Sequence, residues 1–277
     1  MRKPGPVERT IRLALIALAV LWSGFPVFLV VLSSFKPPRE IFAVPPAFIF
    51  TPTLQNYASL WEEWPSFFGN LLNSLIVTLG ATILTIVVST LAAYVYSRYR
   101  SKLLTVSAFF MLFVRMIPPI IVTVPLFPAI NMMNLNDTHF VLIVLYATFF
   151  VSLSTWILKA FIDAIPREIE EAAIMDGAKT FDIVWRVILP LSVHGIVAAS
   201  IFVFVFSWNE FIFALIFTTR NAKTAPLVIS EILGTVEGVD WGILFAAASI
   251  QLIPIVVFVI VVQRYVIAGL TSGAVKS

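Results

Sequence analysis

Residues 70–97 read NLLNSLIVTLGATILTIVVSTLAAYVYS, and no Asp, Glu, Lys or Arg interrupts them. A helix rises about 1.5 Å per residue, so a run of this length covers the hydrocarbon core of a bilayer, which is about 30 Å thick. A surface helix of a globular domain would carry charged residues on its outward face. The stretch therefore predicts a membrane-spanning helix.

The rest of the chain repeats this pattern. Five further apolar runs have similar lengths: residues 11–35, 103–130, 138–162, 193–219 and 243–266. Of the 277 residues, 60% are hydrophobic and only 12% are charged, about half the charged share of an ordinary globular domain. None of the runs alternates apolar and polar residues, as the strands of a membrane β-barrel do. We predict an all-α polytopic membrane protein with six transmembrane helices.

The Lys and Arg residues predict how the spans are oriented. If both termini are cytoplasmic, thirteen basic residues fall on the inner side, four fall in outer loops and Arg115 falls within a span. The thirteen are Arg2, Lys3, Arg9, Arg12, Arg98, Arg100, Lys102, Lys159, Arg167, Lys179, Arg186, Arg264 and Lys276, and the four are Lys36, Arg39, Arg220 and Lys223. Cytoplasmic segments carry the excess of Lys and Arg, so we expect cytoplasmic N- and C-termini.

Several classes of function are disfavoured by what the sequence lacks. There is no cysteine for a disulfide, a thiol nucleophile or a Cys-ligated metal. His139 and His194 are far apart and lie in no H-E-x-x-H motif, so we predict no metal site. The basic residues form no stripe with interleaved aromatics, which argues against nucleic-acid binding. Without a G-x-x-x-x-G-K-[ST] or G-x-S-x-G motif, we expect a non-catalytic chain that binds no cofactor.

The longest predicted cytoplasmic loop, residues 163–192, begins with a short helix. Residues 165–192 read IPREIEEAAIMDGAKTFDIVWRVILPLS, and Pro166 suits the first position of a helix. Three carboxylates follow where the positive end of the helix dipole favours them: Glu168, Glu170 and Glu171. Gly177 predicts the end of this helix, because glycine takes positive φ freely.

A second, amphipathic helix follows in the same loop. Its apolar residues are spaced to form one face, and Pro190 ends it or bends it into the fifth span. The four residues of this face are Phe181, Val184, Trp185 and Ile188. Such a helix can lie on the membrane surface. The acidic first helix is a poor lipid binder, however, and is typical of a segment that enters a groove on another protein.

The loop resembles the EAA signature of binding-protein-dependent ABC importer permeases. Glu171-Ala172-Ala173, then three residues and Gly177, match the first part of that signature. After Gly177 and nine further residues, the family pattern has Ile, any residue and Leu-Pro. This chain has Val187 in the Ile position and Leu189-Pro190 at the end, so the spacing matches with one conservative departure.

This resemblance implies the type I ABC importer permease fold, with six transmembrane helices and a cytoplasmic coupling helix, in a bacterial or archaeal inner membrane. It implies three kinds of partner: an ATPase subunit dimer that binds ATP and Mg, a second and different permease, and an extracytoplasmic solute-binding protein. The implied coupling residues are Glu170, Glu171, Ala172, Ala173, Asp176, Gly177 and Ala178. Glu171 would be the charged contact to the ATPase, Ala172 and Ala173 the close-packed surface, and Gly177 the turn that sets the docking angle.

Two further segments resemble the carbohydrate branch of these permeases, which includes maltose and trehalose systems. They are the Ser-Trp-Asn-Glu-Phe sequence at 207–211 and the Gly-Leu-Thr-Ser-Gly-Ala-Val-Lys tail at 269–276. The resemblance implies a sugar, oligosaccharide, polyol or glycerol-phosphate solute. We expect an N-terminal helix and Pro-rich outer loop over 1–69, a transmembrane domain over 70–267 and a cytoplasmic tail over 268–277.

Ionisable and polar residues within the spans are candidates for the translocation pathway, namely Arg115, Trp208, Asn209 and Glu210. A charge at this depth is costly unless it is paired or faces water. We expect Arg115 and Glu210 to face the central cavity and to pair with each other, while Trp208 and Asn209 offer a ring and an amide to a sugar. The alternative is a structural ion pair that never meets the solute.

Four prolines predict a kink or break in the third span: Pro118, Pro119, Pro125 and Pro128.

Three other functions are alternatives to a carbohydrate importer. The chain can belong to the same importer class with a non-sugar solute. A free-standing secondary transporter is disfavoured because such folds have paired repeats, and an intramembrane enzyme because no catalytic constellation is present.

Overall fold

The computed structural model describes residues 5–235 and 238–273, which are helical and contain no strand. The α-helices are α1 (Pro6–Ser34), α2 (Gln55–Glu63), α3 (Ser66–Arg98), α4 (Lys102–Arg115), α5 (Pro119–Met132), α6 (His139–Asp163), α7 (Arg167–Met175), α8 (Thr180–Leu191), α9 (Val193–Trp208), α10 (Ile212–Phe217), α11 (Ala225–Leu233) and α12 (Trp241–Gly273). The predicted all-α class is confirmed. Residues 274–276 of the tail motif lie outside the described residues.

Four helices of the described ranges are long and apolar enough to cross a membrane: α1, α3, α6 and the first part of α12. Two bent pairs pass the same test together: α4 meets α5 at 95°, within the predicted third span, and α8 meets α9 at 79°. Counting each bent pair as one span gives six, the predicted number, but the second pair includes α8, which the sequence analysis assigned to the loop of residues 163–192. The prediction of one continuous helix over 193–219 was wrong, since α9 ends at Trp208 and α10 begins at Ile212.

The break in the third span lies at its first two prolines. The helix α4 ends at Arg115, Pro118 caps α5 and Pro119 is its first residue. Neither proline can donate a backbone hydrogen bond, and the residue before a proline avoids helical geometry. Pro125 and Pro128 lie within α5. The predicted break is therefore confirmed at Pro118 and Pro119.

The chain divides into two compact units. One unit comprises residues up to Phe67 together with Ile229–Ile253. In this unit Asn56 of α2 is buried, and its amide donates hydrogen bonds to the carbonyls of Ser34 and Lys36, both at 2.8 Å. These bonds fasten α2 to the end of α1.

The second unit comprises Phe68–Val228 and the chain from Pro254 onward. Two apolar clusters lie among its described residues. One joins α3, α5, α6, α9 and α10 and includes Val77, Tyr146 and Phe213. The other joins the ends of α3 and α6 to α8 and α9 and includes Ile162 and Ile188. The second cluster supports the loop of residues 163–192.

At the opposite ends of these spans, a carboxylate binds a turn of backbone. Asp137 follows α5, and its side chain accepts hydrogen bonds from the backbone N–H groups of residues 219–222 at 3.0–3.2 Å. Burial opposes ionisation of Asp137, but the N–H groups of Asn221, Thr219 and Ala222 outweigh it and hold the pKa of this carboxyl well below its ordinary value. This contact ties the loop before α6 to the loop after α10.

Candidate coupling site

The helix α7 has well-defined ends. Pro166 is its N-cap rather than its first residue, and Arg167 begins it. At the other end Gly177 has φ of +84°, and a Cβ there would meet no atom within 4 Å. The Gly177 N–H donates to Ile174 O at 2.9 Å and the Ala178 N–H to Ala173 O at 3.0 Å. This is the Schellman pattern of a glycine-terminated helix, so the predicted glycine turn is confirmed.

Glu170 points into the protein and forms an ion pair with the end of α3. Arg98 Nε donates to Glu170 Oε1 at 2.5 Å, and both side chains are only 9% exposed. The Tyr94 hydroxyl donates to the other carboxylate oxygen, Oε2, at 3.2 Å. A buried charge is stable only when it is paired and hydrogen-bonded, and here both carboxylate oxygens have partners. The pair therefore fixes α7 to α3.

Further polar contacts hold the same junction. Arg98 Nη2 donates to the carbonyl of Ile165, just before α7. The Ser97 hydroxyl donates to Asp163 at 2.6 Å, and Lys159 bonds the other oxygen of that carboxylate. Through these contacts the ends of α3 and α6 and the start of the coupling loop form one connected polar network.

The opposite face of α7 is turned outward. Four of the exposed residues of α7 have the i, i+3, i+4, i+7 spacing of one helix face: Glu168, Glu171, Ala172 and Met175. Met175 is 87% exposed. Ala173 instead packs against the apolar cluster of Ile162 and Ile188. Of the seven residues named for coupling, Glu171, Ala172, Asp176 and Gly177 lie at the surface. Glu170 is buried, and Ala178, like Ala173, packs against the apolar cluster of Ile162 and Ile188.

The predicted apolar face of the second helix of the loop is only partly buried. Val184 and Ile188 are buried, but Phe181 is 70% exposed and lies 5.8 Å from the ring of Trp185. The cause is a π-helical segment over Ile183–Ile188. Its wider turn rotates successive side chains away from the 3.6-residue period. The prediction of one continuous apolar face was therefore wrong.

Arg115 lies at the end of α4 and lines a cavity of about 230 Å³. Its guanidinium is 5.1–5.7 Å from the ring centroids of Phe149, Phe150 and Phe202. It donates one hydrogen bond, to the carbonyl of Phe149 at 3.2 Å. Cation–π contacts and a helix C-terminus stabilise this charge without an acid.

Glu210 serves a different purpose and does not pair with Arg115. Its carboxylate accepts the backbone N–H groups of Phe213 and Ala214 at the start of α10, at 3.0 and 3.4 Å. The Tyr146 hydroxyl lies close to it without the geometry of a hydrogen bond. The three ion pairs found among the described residues do not include Arg115 or Glu210. The expected Arg115–Glu210 pair was wrong, because each charge has other stabilising contacts nearby.

The two polar neighbours of Glu210 are in contrasting surroundings. Trp208 is 1% exposed, and its ring is parallel to that of Phe204, with centroids 6.1 Å apart. Asn209 is exposed and donates to the carbonyl of Val205 at 2.8 Å. In this structure Asn209, but not the Trp208 ring, is accessible from outside the protein.

Comparison with known families gives the class of the chain. Residues 85–272 match the model of the family described as binding-protein-dependent transport system inner membrane component. The chain belongs to this family. It is thus a permease subunit of a binding-protein-dependent ABC importer and a component of the inner membrane. The matched region contains the whole coupling loop.

Relatives and a solved structure agree with this assignment. The chain is 35% identical to the trehalose/maltose transport system permease protein of Thermococcus litoralis, over 85% of this chain and 87% of that protein. It is 39% identical to the trehalose transport system permease protein of Mycobacterium tuberculosis, over 82% and 83% of the two chains. A bacterial ABC transporter that imports the acidic polysaccharide alginate has the same fold, with a TM-score of 0.75 at 18% identity over 96% of this chain and 99% of that chain. The predicted type I importer fold is confirmed.

Arg98 and Tyr94, which hold Glu170, were not predicted from the sequence as part of this site. They lie four residues apart at the end of an apolar span, where Arg is expected simply as a topology signal. A Tyr at i and an Arg at i+4 share one helix face, and this spacing was the only available sign that both meet the same partner.

Proposed function

We propose that this permease imports a carbohydrate-type solute and is driven by a separate ATPase that binds the outward face of α7. The exposed face with Glu168, Glu171, Ala172 and Met175 carries the proposal. It combines carboxylates with the exposed apolar side chain of Met175. Exposed apolar groups rimmed by charge are typical of a protein interface.

The proposed division of labour follows from the two faces of α7. Glu171 forms a charge-assisted contact with a basic residue of the ATPase dimer, a kind of contact that contributes about 1.5–3 kcal/mol. Glu170 holds the other face of the same helix to Arg98. When the ATPase subunits close on ATP and Mg, α7 therefore moves α3 with it. The remaining proposed partners are a second, different permease and an extracytoplasmic solute-binding protein.

A cross-linking experiment tests the docking face, because the chain has no native cysteine. Met175→Cys places a thiol on the proposed face, and Ile49→Cys places one on a residue that is 98% exposed and predicted to be extracytoplasmic. With a bifunctional thiol–amine reagent, Met175→Cys should cross-link to the ATPase in the intact transporter, and added ATP should change the yield. Cross-linking of Ile49→Cys but not of Met175→Cys would refute both the docking face and the proposed orientation.

The carbohydrate assignment is supported by the trehalose and maltose relatives. We propose a sugar, oligosaccharide, polyol or glycerol-phosphate compound. Its test is a binding screen of the cognate solute-binding protein, followed by uptake into vesicles that contain the whole transporter. Binding of an amino acid or an inorganic ion, and of no carbohydrate, would favour the same importer class with a different solute.

We further propose that Arg115 and Asn209 lie along the solute path. Arg115 lines a cavity whose wall also includes Thr148, and Asn209 is exposed beside a helix end. In uptake assays Arg115→Gln and Asn209→Ala should raise the solute concentration for half-maximal transport while ATPase coupling stays intact. Unchanged uptake in both variants would assign these residues a structural role.

A further inference from the structure

A second cavity, of about 720 Å³, lies where α3 ends and α4 begins. It has a basic rim and aromatic walls. Its lining includes Tyr99, Arg100, Lys102, Phe109, Trp156 and Lys159. The positive-inside pattern places these basic residues at the cytoplasmic surface of the bilayer, where Trp and Tyr side chains also concentrate.

The rim carries positive charge that no described residue neutralises. Lys159 bonds Asp163 at 2.6 Å, but Arg100 and Lys102 take part in none of the three ion pairs found in the described ranges. Both side chains are exposed. The N-terminus of α4, capped by the Ser101 side chain, lies between them and adds the positive end of a fourteen-residue helix. The cavity therefore favours an anion.

An apolar groove continues from this cavity along α3. A cavity of about 390 Å³ shares Tyr96 and Leu104 with it and runs over four α3 residues that form one helix face. These are Val88, Leu91, Ala92 and Val95. A basic rim that opens into an apolar groove matches one kind of molecule, which has an anionic head and a hydrocarbon tail.

We propose that this composite cavity binds an acidic phospholipid of the cytoplasmic leaflet. Its phosphate contacts Arg100 and Lys102, and one acyl chain lies in the groove over Ala92. Basic pockets between spans on the cytoplasmic side recognise anionic headgroups in this way. Lipid binding at this site depends neither on which solute is imported nor on the ATPase contact of α7. The helix α3 carries both the lipid groove and Arg98, the residue that holds α7.

Native mass spectrometry of the intact transporter tests the headgroup site. The complex is titrated with phosphatidylglycerol or with phosphatidylcholine of equal chain length, and bound lipid is counted. The double variant R100Q/K102Q should lower the affinity for phosphatidylglycerol about thirtyfold, the equivalent of about 2 kcal/mol, and leave phosphatidylcholine unchanged. The control R9Q/R12Q removes two charges from the same predicted side at α1 and should retain the lipid.

A second variant tests the groove without changing any charge. Ala92→Phe fills the groove and should weaken long-chain phosphatidylglycerol but not its dihexanoyl form. Equal binding of the two headgroups in the wild type, or an equal loss in R9Q/R12Q, would overturn the proposal. Displacement of the lipid by millimolar inorganic phosphate would reassign the site to a free anion. Absence of any bound lipid in the assembled complex would assign the surface to the second permease instead.

Discussion

Substitution of Glu170 by Gln should detach α7 from the end of α3 without unfolding the protein. The change removes the charge of a side chain that is 9% exposed and leaves the equally buried guanidinium of Arg98 without its counter-ion. Breaking a buried pair from one side costs about 3–5 kcal/mol. Arg98 keeps its bonds to Ile165 and Ser97, so we expect a loss near the lower end, about 3 kcal/mol.

Hydrogen exchange measures this loss where it occurs. Opening of α7 exposes the amides that its helix protects, and about 3 kcal/mol corresponds to an increase of about a hundredfold in their exchange rates. Amides in the middle of α6 should keep their protection. In reconstituted vesicles the same variant should hydrolyse more ATP per solute transported, because motion of α7 no longer reaches α3.

Glu171→Gln is the matched control, since it makes the same chemical change one residue away on the exposed face. It should leave exchange in α7 unaltered and weaken ATPase binding. The double variant R98M/E170M removes both charges, so it should cost less than Glu170→Gln alone. The account of the Arg98–Glu170 pair would be refuted if Glu170→Gln and Glu171→Gln gave the same exchange pattern, or if the double variant cost the sum of the two single changes.

Three further predictions concern other contacts. Gly177→Ala should destabilise the end of α7 by about 1–2 kcal/mol, because residue 177 has positive φ. Gly177→Asn should be tolerated better. Uptake assays compare the two variants, and equal activity would contradict a requirement for positive φ at this turn. Gly195→Ala places a Cβ 2.6–2.8 Å from Phe161 atoms, so thermal unfolding in detergent should show a loss of about 1–3 kcal/mol. Phe161→Ala should relieve only part of this loss, because the contact of 2.8 Å with the Phe161 Cβ remains. Asp137→Asn should lower stability at pH 7 by about 1 kcal/mol after solvent screening. Because the pKa of Asp137 is depressed in the folded state, the wild type should keep this contribution above about pH 4 and lose it as the pH falls further, and a decline that begins near neutral pH would contradict this assignment.

The spans and the glycine turn could be predicted because their signals are local. The run over 70–97 became α3 at Ser66–Arg98, and the run over 138–162 became α6 at His139–Asp163. Helix length and uncharged composition suffice for such elements. The φ of +84° at Gly177 likewise follows from the residue type and its place after a helix.

The direction of each charged side chain could not be predicted in the same way. Helical spacing places Glu170 and Glu171 on different faces of α7, but only the position of Arg98 in the folded protein decides which face is inside. The prediction that Arg115 pairs with Glu210 was wrong for a related reason. The sequence shows two opposite charges in spans, but not the three phenylalanine rings around one or the helix start beside the other.

Coupling of this permease to an ATPase through α7 can be tested by affinity purification of the tagged chain from native membranes in mild detergent, followed by mass spectrometry of its partners. The account predicts a P-loop ATPase, a second permease and a solute-binding protein with the wild type. It also predicts loss of the ATPase alone when Glu171 and Met175, both on the outward face of α7, are replaced by Lys. Recovery of the chain alone, or of an undiminished ATPase with that variant, would contradict the proposed coupling through α7.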